Sequence, residues 1–155
     1  MVVVREGASH TLQGTRIVVG IDGPASRSAA ELGFSEARRT TSGVTAVLAW
    51  QLNTADLGSL VSPDVERKEM EARGQEILAE VLGPLSAVYP EVDVGRFVVE
   101  GTPAEQLEKM SVNARLLVVG SRKLPLSPLV LGSVSRRVIS RAHCPIAVMA
   151  SGSVP

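Results

Sequence analysis

Apolar residues along this chain fall into five short runs separated by longer stretches with helical spacing. Ile17–Ile21, Val44–Trp50, Leu116–Val119 and Pro145–Met149 are nearly uninterrupted and rich in β-branched residues, the pattern of strands covered on both faces. The run from Val92 to Val99 alternates instead, with Val92, Val94 and Val98 toward one side, which also predicts a strand. Between the runs the period changes. A helix is predicted from about Ser26 to Thr41, with Ala30, Phe34 and Ala37 on one face, closed by Thr41-Ser42-Gly43. Pro63 suits the first turn of a long second helix, in which Met70, Ile77 and Val81 share a face that Leu78, Leu82 and Leu85 widen. Gly74 weakens that helix by about 1 kcal/mol relative to Ala. Gly83-Pro84 is predicted to loosen or end it.

Thr102-Pro103-Ala104-Glu105 reads as a capping box with Pro at the first helical position, so a third helix starts there and buries Leu107 and Met110. A fourth, from about Ser133 to Ala142, buries Val134, Val138 and Ile139. Strand and helix therefore alternate, which predicts an α/β fold with a parallel sheet, right-handed crossovers and helices on both faces. A length of 155 residues suits one domain, expected over residues 16–150, with flexible tails at 1–15 and 151–155. A chain of that size buries about two-thirds of its unfolded surface, so neither metal nor disulfide is required for stability.

Charge narrows the function classes. Lys+Arg and Asp+Glu both number 16, and the basic residues are spread along the chain, which argues against a dedicated nucleic-acid binder. The single cysteine cannot form an internal disulfide, and a reducing cytoplasm is the expected compartment. The opening MVVVREG is too short for a signal h-region, and no run of 18 apolar residues exists to span a membrane.

Candidate chemistry centres on Leu116 to Ser135. The strand ends at Gly120-Ser121, and after a loop Gly132-Ser133-Val134-Ser135 opens a helix. Open α/β sheets bind ligands at the carboxyl ends of their strands. A helix start offers backbone N–H groups and the positive dipole end to an anion such as phosphate, with Ser133 suited to the N-cap. Glycine and serine are equally ordinary punctuation at such junctions. Asp22, after the first strand and before Gly23-Pro24, reads either as a turn or capping carboxylate or as a ligand contact. His143 and Cys144 enter a strand on opposite faces, so a buried structural thiol is expected in place of a metal or nucleophilic pair. Glu100 and Asp93 are expected to be solvated. No hydrolase, zinc-protease, Walker or kinase signature is present.

Val18-Val19-Gly20-Ile21-Asp22-Gly23, Gly101 to Leu107, Leu116 to Arg122, Leu131 to Ser135 and Cys144 to Val148 together resemble the universal stress protein family (UspA-like). The likeness covers residues 16 to 150 in order and spacing, and Trp50 at the end of the second strand is similar to actinobacterial members. The resemblance implies a three-layer, adenine nucleotide alpha hydrolase-like fold: an open five-stranded parallel sheet of order 3-2-1-4-5 with four helices. It also implies a homodimer formed through the last strand, where Ile146, Val148 and Met149 would otherwise leave an exposed apolar edge. Action would run through a further protein partner. In members that bind ATP, the Asp after the first strand contacts adenosine, a place held here by Asp22 beside Gly20. Backbone groups at the end of the second strand meet the adenine, a place held by Ala49. The phosphates sit on a motif of Gly, two residues, Gly, nine residues, then Gly and Ser or Thr. Gly120, Gly132 and Ser133 match it, with Ser121, Val134 and Ser135 beside them.

Two departures stand out. Lys123 occupies the second Gly position, and eight residues instead of nine separate it from Gly132. The lysine either brings an ammonium to a phosphate or blocks the close backbone approach that glycine permits. Pro125 and Pro128 remove N–H donors from the loop. The expectation is a cytoplasmic binding module for an adenine nucleotide, ATP with or without Mg, with no metal site of its own and no catalytic residue. The rivals are a nucleotide-independent dimeric interaction protein and, third, a weak ATPase.

Overall fold

The computed structural model describes residues 15–52, 62–121 and 133–150. The strands are β1 (Arg16–Gly20), β2 (Gly43–Trp50), β3 (Val94–Glu100), β4 (Ala114–Ser121) and β5 (Ile146–Ala150). The helices among the described residues are α1 (Arg27–Arg39), entered through a single 3-10 turn at Pro24–Ser26, α2 (Pro63–Val88), α3 (Pro103–Ser111) and α4 (Ser133–Arg141). All strand pairs are parallel and the order is β3-β2-β1-β4-β5, as the resemblance implied.

The period-2 alternation of each strand splits its side chains between two cores. Ile17 and Val19 of β1, Val44, Ala46 and Leu48 of β2 and Val118 of β4 face α1 and α2, meeting Phe34, Leu78 and Leu82, all fully buried. Val18, Val47, Leu117, Val119, Ile146 and Val148 face the other way, with Leu107 of α3 and Val138 of α4. The buried central strands thus read as continuous apolar runs because both faces are covered.

Local signals hold where chemistry enforces them. The Thr102 side chain accepts a hydrogen bond from the Glu105 N–H at 3.3 Å, and Pro103 begins α3. Gly74 has a packing reason: a Cβ there would come within 2.6 Å of Val98 Cγ1 and 3.4 Å of a Leu48 methyl, so α2 lies too close to the sheet for any larger residue. Two expectations are corrected. Gly83-Pro84 does not end α2, which continues to Val88. Leu82 and Leu85 are buried on either side of the proline, and Tyr89 packs at 5.9 Å from the Phe34 ring. The proline itself is exposed, where water can take the carbonyl it leaves without an N–H donor. Packing of the inner face therefore outweighs the local break.

The second correction concerns β5. It is an edge strand, but Ile146 and Val148 are 1% and 2% exposed inside the chain's own core, and Met149 is half-buried. Among the described residues no strand pairs with its outer side, so the edge offers backbone and not an apolar surface. Asp93 and Glu100 are exposed, as expected, and each is also ion-paired, Asp93 with Arg16 at 2.6 Å and Glu100 with Arg67 at 3.1 Å. Residues 1–14 of the expected N-terminal tail, the tail at 151–155, and the loop positions Lys123, Pro125, Pro128 and Gly132 lie outside the described residues.

Candidate functional site

Parallel strands deliver their ends to one edge, and here the ends of β1, β2 and β4 meet the starts of α3 and α4 around a cavity of about 300 Å³. Seven of the ten residues singled out from sequence line it: Gly20 and Asp22 after β1, Ala49 from β2, Gly120 from β4, and Ser133, Val134 and Ser135 from α4. Ser121 closes β4 opposite Ala150 and is not part of the lining. Lys123 and Gly132 lie outside the described residues.

Each wall has a local cause. Gly20 faces α3, and a Cβ at that position would stand 3.1 Å from Leu107 Cδ1, so glycine there keeps the hollow open. The Ile21 N–H donates to the Val47 carbonyl at 2.8 Å, which carries sheet pairing one residue past β1 and fixes where Asp22 leaves the sheet. Ser26, 3% exposed, then holds Asp22 at two points. Its hydroxyl donates to Asp22 Oδ1 at 2.5 Å and accepts the Asp22 N–H at 2.9 Å.

On the opposite wall the described part of α4 opens with Ser133. The first-turn N–H groups of a helix have no intrahelical partner, and those of α4 start at the cavity. Ser135, 2% exposed, donates its hydroxyl to the Gly120 carbonyl at 3.3 Å. That bond ties the first turn of α4 to the end of β4, so the hydroxyl serves the framework before any ligand.

The floor is apolar, made by Ile21, Val47, Leu107 and Val119. An apolar slot with a carboxylate at one side and a helix start at the other can hold a flat, partly apolar ring together with an anionic group. Sequence reasoning missed Ser26, Val47, Pro103, Leu107 and Val119 as lining residues. The i, i+4 spacing of Asp22 and Ser26 around a turn was the available signal for the first. The others carry ordinary core signatures, and only the topology turns their ends into a site.

Elsewhere the acidic and thiol groups are structural. Cys144 is buried, and burial pushes its thiol up to about 11, against a smaller lowering by a hydrogen bond to the backbone of Leu117. His143 is exposed, and its backbone N–H donates to the buried Ser111 hydroxyl at 3.0 Å. Among the described residues no group of three or more His, Cys, Asp or Glu side chains is placed to hold a metal ion. No helix among them is long and apolar enough to cross a membrane.

Sheet order, helix placement and similarity to solved structures show an open α/β fold of the adenine nucleotide alpha hydrolase-like type. Residues 14–150 match the model of the universal stress protein family, and the chain belongs to that family. Among curated relatives, Universal stress protein Rv1996 of Mycobacterium tuberculosis is 37% identical over 139 residues, covering 85% of this chain and 43% of the relative. Universal stress protein Rv2623 of the same organism is 34% identical over 134 residues, covering 85% of this chain and 44% of the relative. The chain thus spans less than half the length of these relatives. Similar solved structures include UspA from Lactobacillus plantarum, with TM-score 0.68, 18% identity and coverage of 88% of this chain and 98% of that one. A universal stress protein in complex with cAMP gives TM-score 0.65 at 21% identity, over 90% of this chain and 99% of that one. The Archaeoglobus fulgidus protein in complex with dAMP gives 0.58 at 21%, over 88% and 98%.

Proposed function

We propose that this chain is a nucleotide-binding universal stress module that takes an adenine nucleotide in the cavity at the carboxyl edge of its sheet. The observation that carries the reading is the convergence of Gly20, Asp22, Ala49, Gly120 and the first turn of α4 on one hollow with an apolar floor. Those residues are far apart in sequence, and parallel pairing of β2, β1 and β4 brings them to one edge. Relatives of the same fold that hold cAMP and dAMP support the ligand class. ATP is the fuller form of this reading, its further phosphates extending past the start of α4. The cavity volume lies at the low end of small-molecule sites, about 300–1,000 Å³, which suits a nucleoside with its first phosphate. Titration calorimetry with ATP, ADP and AMP tests the proposal. Heat of binding with any of them supports it, and silence with all three at millimolar ligand ends it.

The module has no catalytic role in this reading and works in the cytoplasm, in a stress response, by presenting its loaded or empty state to a protein partner. A homodimer joined along the outer backbone edge of β5 is part of the proposal. Sedimentation showing only monomer at micromolar protein would remove it. A second reading, a nucleotide-independent dimer, draws on the eight-residue interval between Lys123 and Gly132. It predicts the same sedimentation and no calorimetric heat.

A further inference from the structure

We infer that β3, at the opposite edge of the sheet from β5, is a self-pairing surface: it joins β3 of a second copy of this chain as an antiparallel ladder centred on Val98. The inference stands apart from the nucleotide reading and from the contact proposed at β5. Three observations lead there.

The first is the direction of the backbone groups. Among the described residues no strand pairs with the outer side of β3. The Val44 N–H donates to the Asp93 carbonyl and the Gly101 N–H to the Trp50 carbonyl, each at 2.8 Å. Successive residues of a strand turn their N–H and C=O groups to opposite sides, so residues 93, 95, 97, 99 and 101 face β2. Val94, Arg96, Val98 and Glu100 turn theirs outward. A row of outward groups on a strand without proline is a template for another strand. An antiparallel partner bonds only where outward groups meet outward groups, so a second β3 must set even-numbered residues opposite one another.

The second is charge. Arg96, Val98 and Glu100 share one face of β3, and both charged side chains are exposed. Glu100 accepts from Arg67 Nε at 3.1 Å, and among the described residues no salt bridge engages Arg96. A two-fold axis through Val98 sets Arg96 opposite Glu100 of the second copy, twice by symmetry. An axis through Arg96 sets two guanidinium groups together, and one through Glu100 two carboxylates. An axis through Phe97 or Val99 leaves both charges opposite uncharged residues. Charge therefore selects the Val98 register.

The third is Phe97. Among the described residues it is the only large apolar side chain exposed on a strand, at 46%. Its ring lies against Gly95, where a Cβ would stand 3.1 Å from Phe97 Cε2, and that cover leaves nearly half of the residue in water. In the Val98 register Phe97 faces Val99 of the second copy. This is an aromatic and β-branched pair at a non-hydrogen-bonded position, where side chains approach closest. One register thus satisfies the outward backbone, both charges and the exposed ring.

The test places cysteines on the full chain with Cys144→Ala as background. Directly opposed residues at such a position have Cα atoms about 4.5 Å apart, within disulfide reach, and diagonal neighbours lie about 7–8 Å apart, beyond it. Phe97→Cys and Val99→Cys chains, mixed at micromolar protein under mild oxidation, are expected to give a cross-linked dimer at least tenfold above either chain alone. Arg96→Glu in both chains should lower that yield about tenfold, because carboxylates then face each other. Arg96→Glu in one chain with Glu100→Arg in the other should restore it, since every facing pair is again opposite in sign. A dimer through β5 gives none of these cross-links, and nucleotide titration is read separately. A mixture that cross-links no more than its parts overturns the inference and leaves this edge to some other strand. A cross-link by Phe97→Cys alone overturns it too, since it marks a register centred on Phe97, as does a yield that the charge changes do not move.

Discussion

At the amino-terminal end of the strands lies a hollow of about 450 Å³, larger than the one of about 300 Å³ at the carboxyl end. The larger is ringed by Arg16, Arg38, Glu91 and Asp93, and these groups are bonded to one another and to the frame. Arg16 alone donates from Nε to Thr45 Oγ1 at 2.8 Å, from Nη2 to the Val44 carbonyl at 2.7 Å and from Nη1 to Asp93 at 2.6 Å. The smaller hollow has an apolar floor and polar groups that frame an opening, held from behind by Ser26 and Ser135. Volume therefore does not identify the site. What separates the two ends is whether polar groups are tied across the space or held back from it. Strand ends and helix starts meet only at the carboxyl edge, and that geometry comes from parallel pairing itself.

The sharpest way to break this contrast is to add one side chain at each end. Gly20→Val places bulk where a Cβ already stands 3.1 Å from Leu107. One surplus methylene in a fitted pocket changes affinity by about 10–200-fold. Nucleotide affinity should therefore fall about 100-fold or more, with a stability cost of about 1–3 kcal/mol from overpacking. Gly43→Ala is the mirror experiment. Its Cβ would fall 2.5 Å from Arg16 Nη1, so the guanidinium must shift against its partners. Stability should drop while calorimetric affinity stays as it was. If both changes altered affinity alike, the division of labour between the ends would be wrong.

Arg16→Met asks how much the amino-terminal staple contributes. The Asp93 side chain is 82% exposed, so the ion pair itself is worth about 0–1 kcal/mol. The larger loss comes from the Val44 carbonyl and Thr45 hydroxyl, part-buried groups left without their donor. Urea unfolding should show a loss of about 1–3 kcal/mol. Combining it with Gly43→Ala should add little, since both act on the same bonds.

The same contrast explains what sequence could tell. Strands and helices were legible because each apolar run or stripe answers to one local period, and the Thr102 cap and Gly120 strand end were visible as single residues. Pro84 misled because its local effect is a break, while the burial of Leu82 and Leu85 that overrides it is a tertiary fact. Ile146 and Val148 mislead in the opposite sense: an edge strand suggests an exposed apolar face, yet the core shared with Val138 and Leu117 covers them. In the site, residues with special chemistry such as Asp22 and Gly20 could be named in advance. Leu107 and Val119 could not, because a wall residue and a core residue look identical until the chain closes around a space.

A smaller effect is expected from Thr102→Ala. The Thr102 hydroxyl caps the helix that brings Leu107 and Pro103 to the cavity. Loss of such a cap costs about 0.5–2 kcal/mol. Because the cap lies at the carboxyl edge, thermal melts should show the stability loss together with a fall in nucleotide affinity of severalfold at most. The equivalent loss of stability at Arg16 should leave affinity alone, which separates general loosening from damage to the wall.

The least effect belongs to Cys144, on the amino-terminal side just before β5, where burial moves the thiol up to about 11. An ordinary cysteine titrates near 8.5, so between these values the unfolded chain has released a proton that the folded chain retains. Folding stability is therefore undiminished below about pH 8.5 and declines as pH rises through the folded value. Cys144→Ala should flatten that decline and leave nucleotide affinity unchanged. In the native protein at pH 8 the thiol is protonated and covered, so a water-soluble disulfide reagent should label it slowly, at a rate set by opening of the fold. Rapid labelling of the folded protein at that pH would mean that this end of the sheet is open to water, and that its groups are not tied shut as the contrast requires.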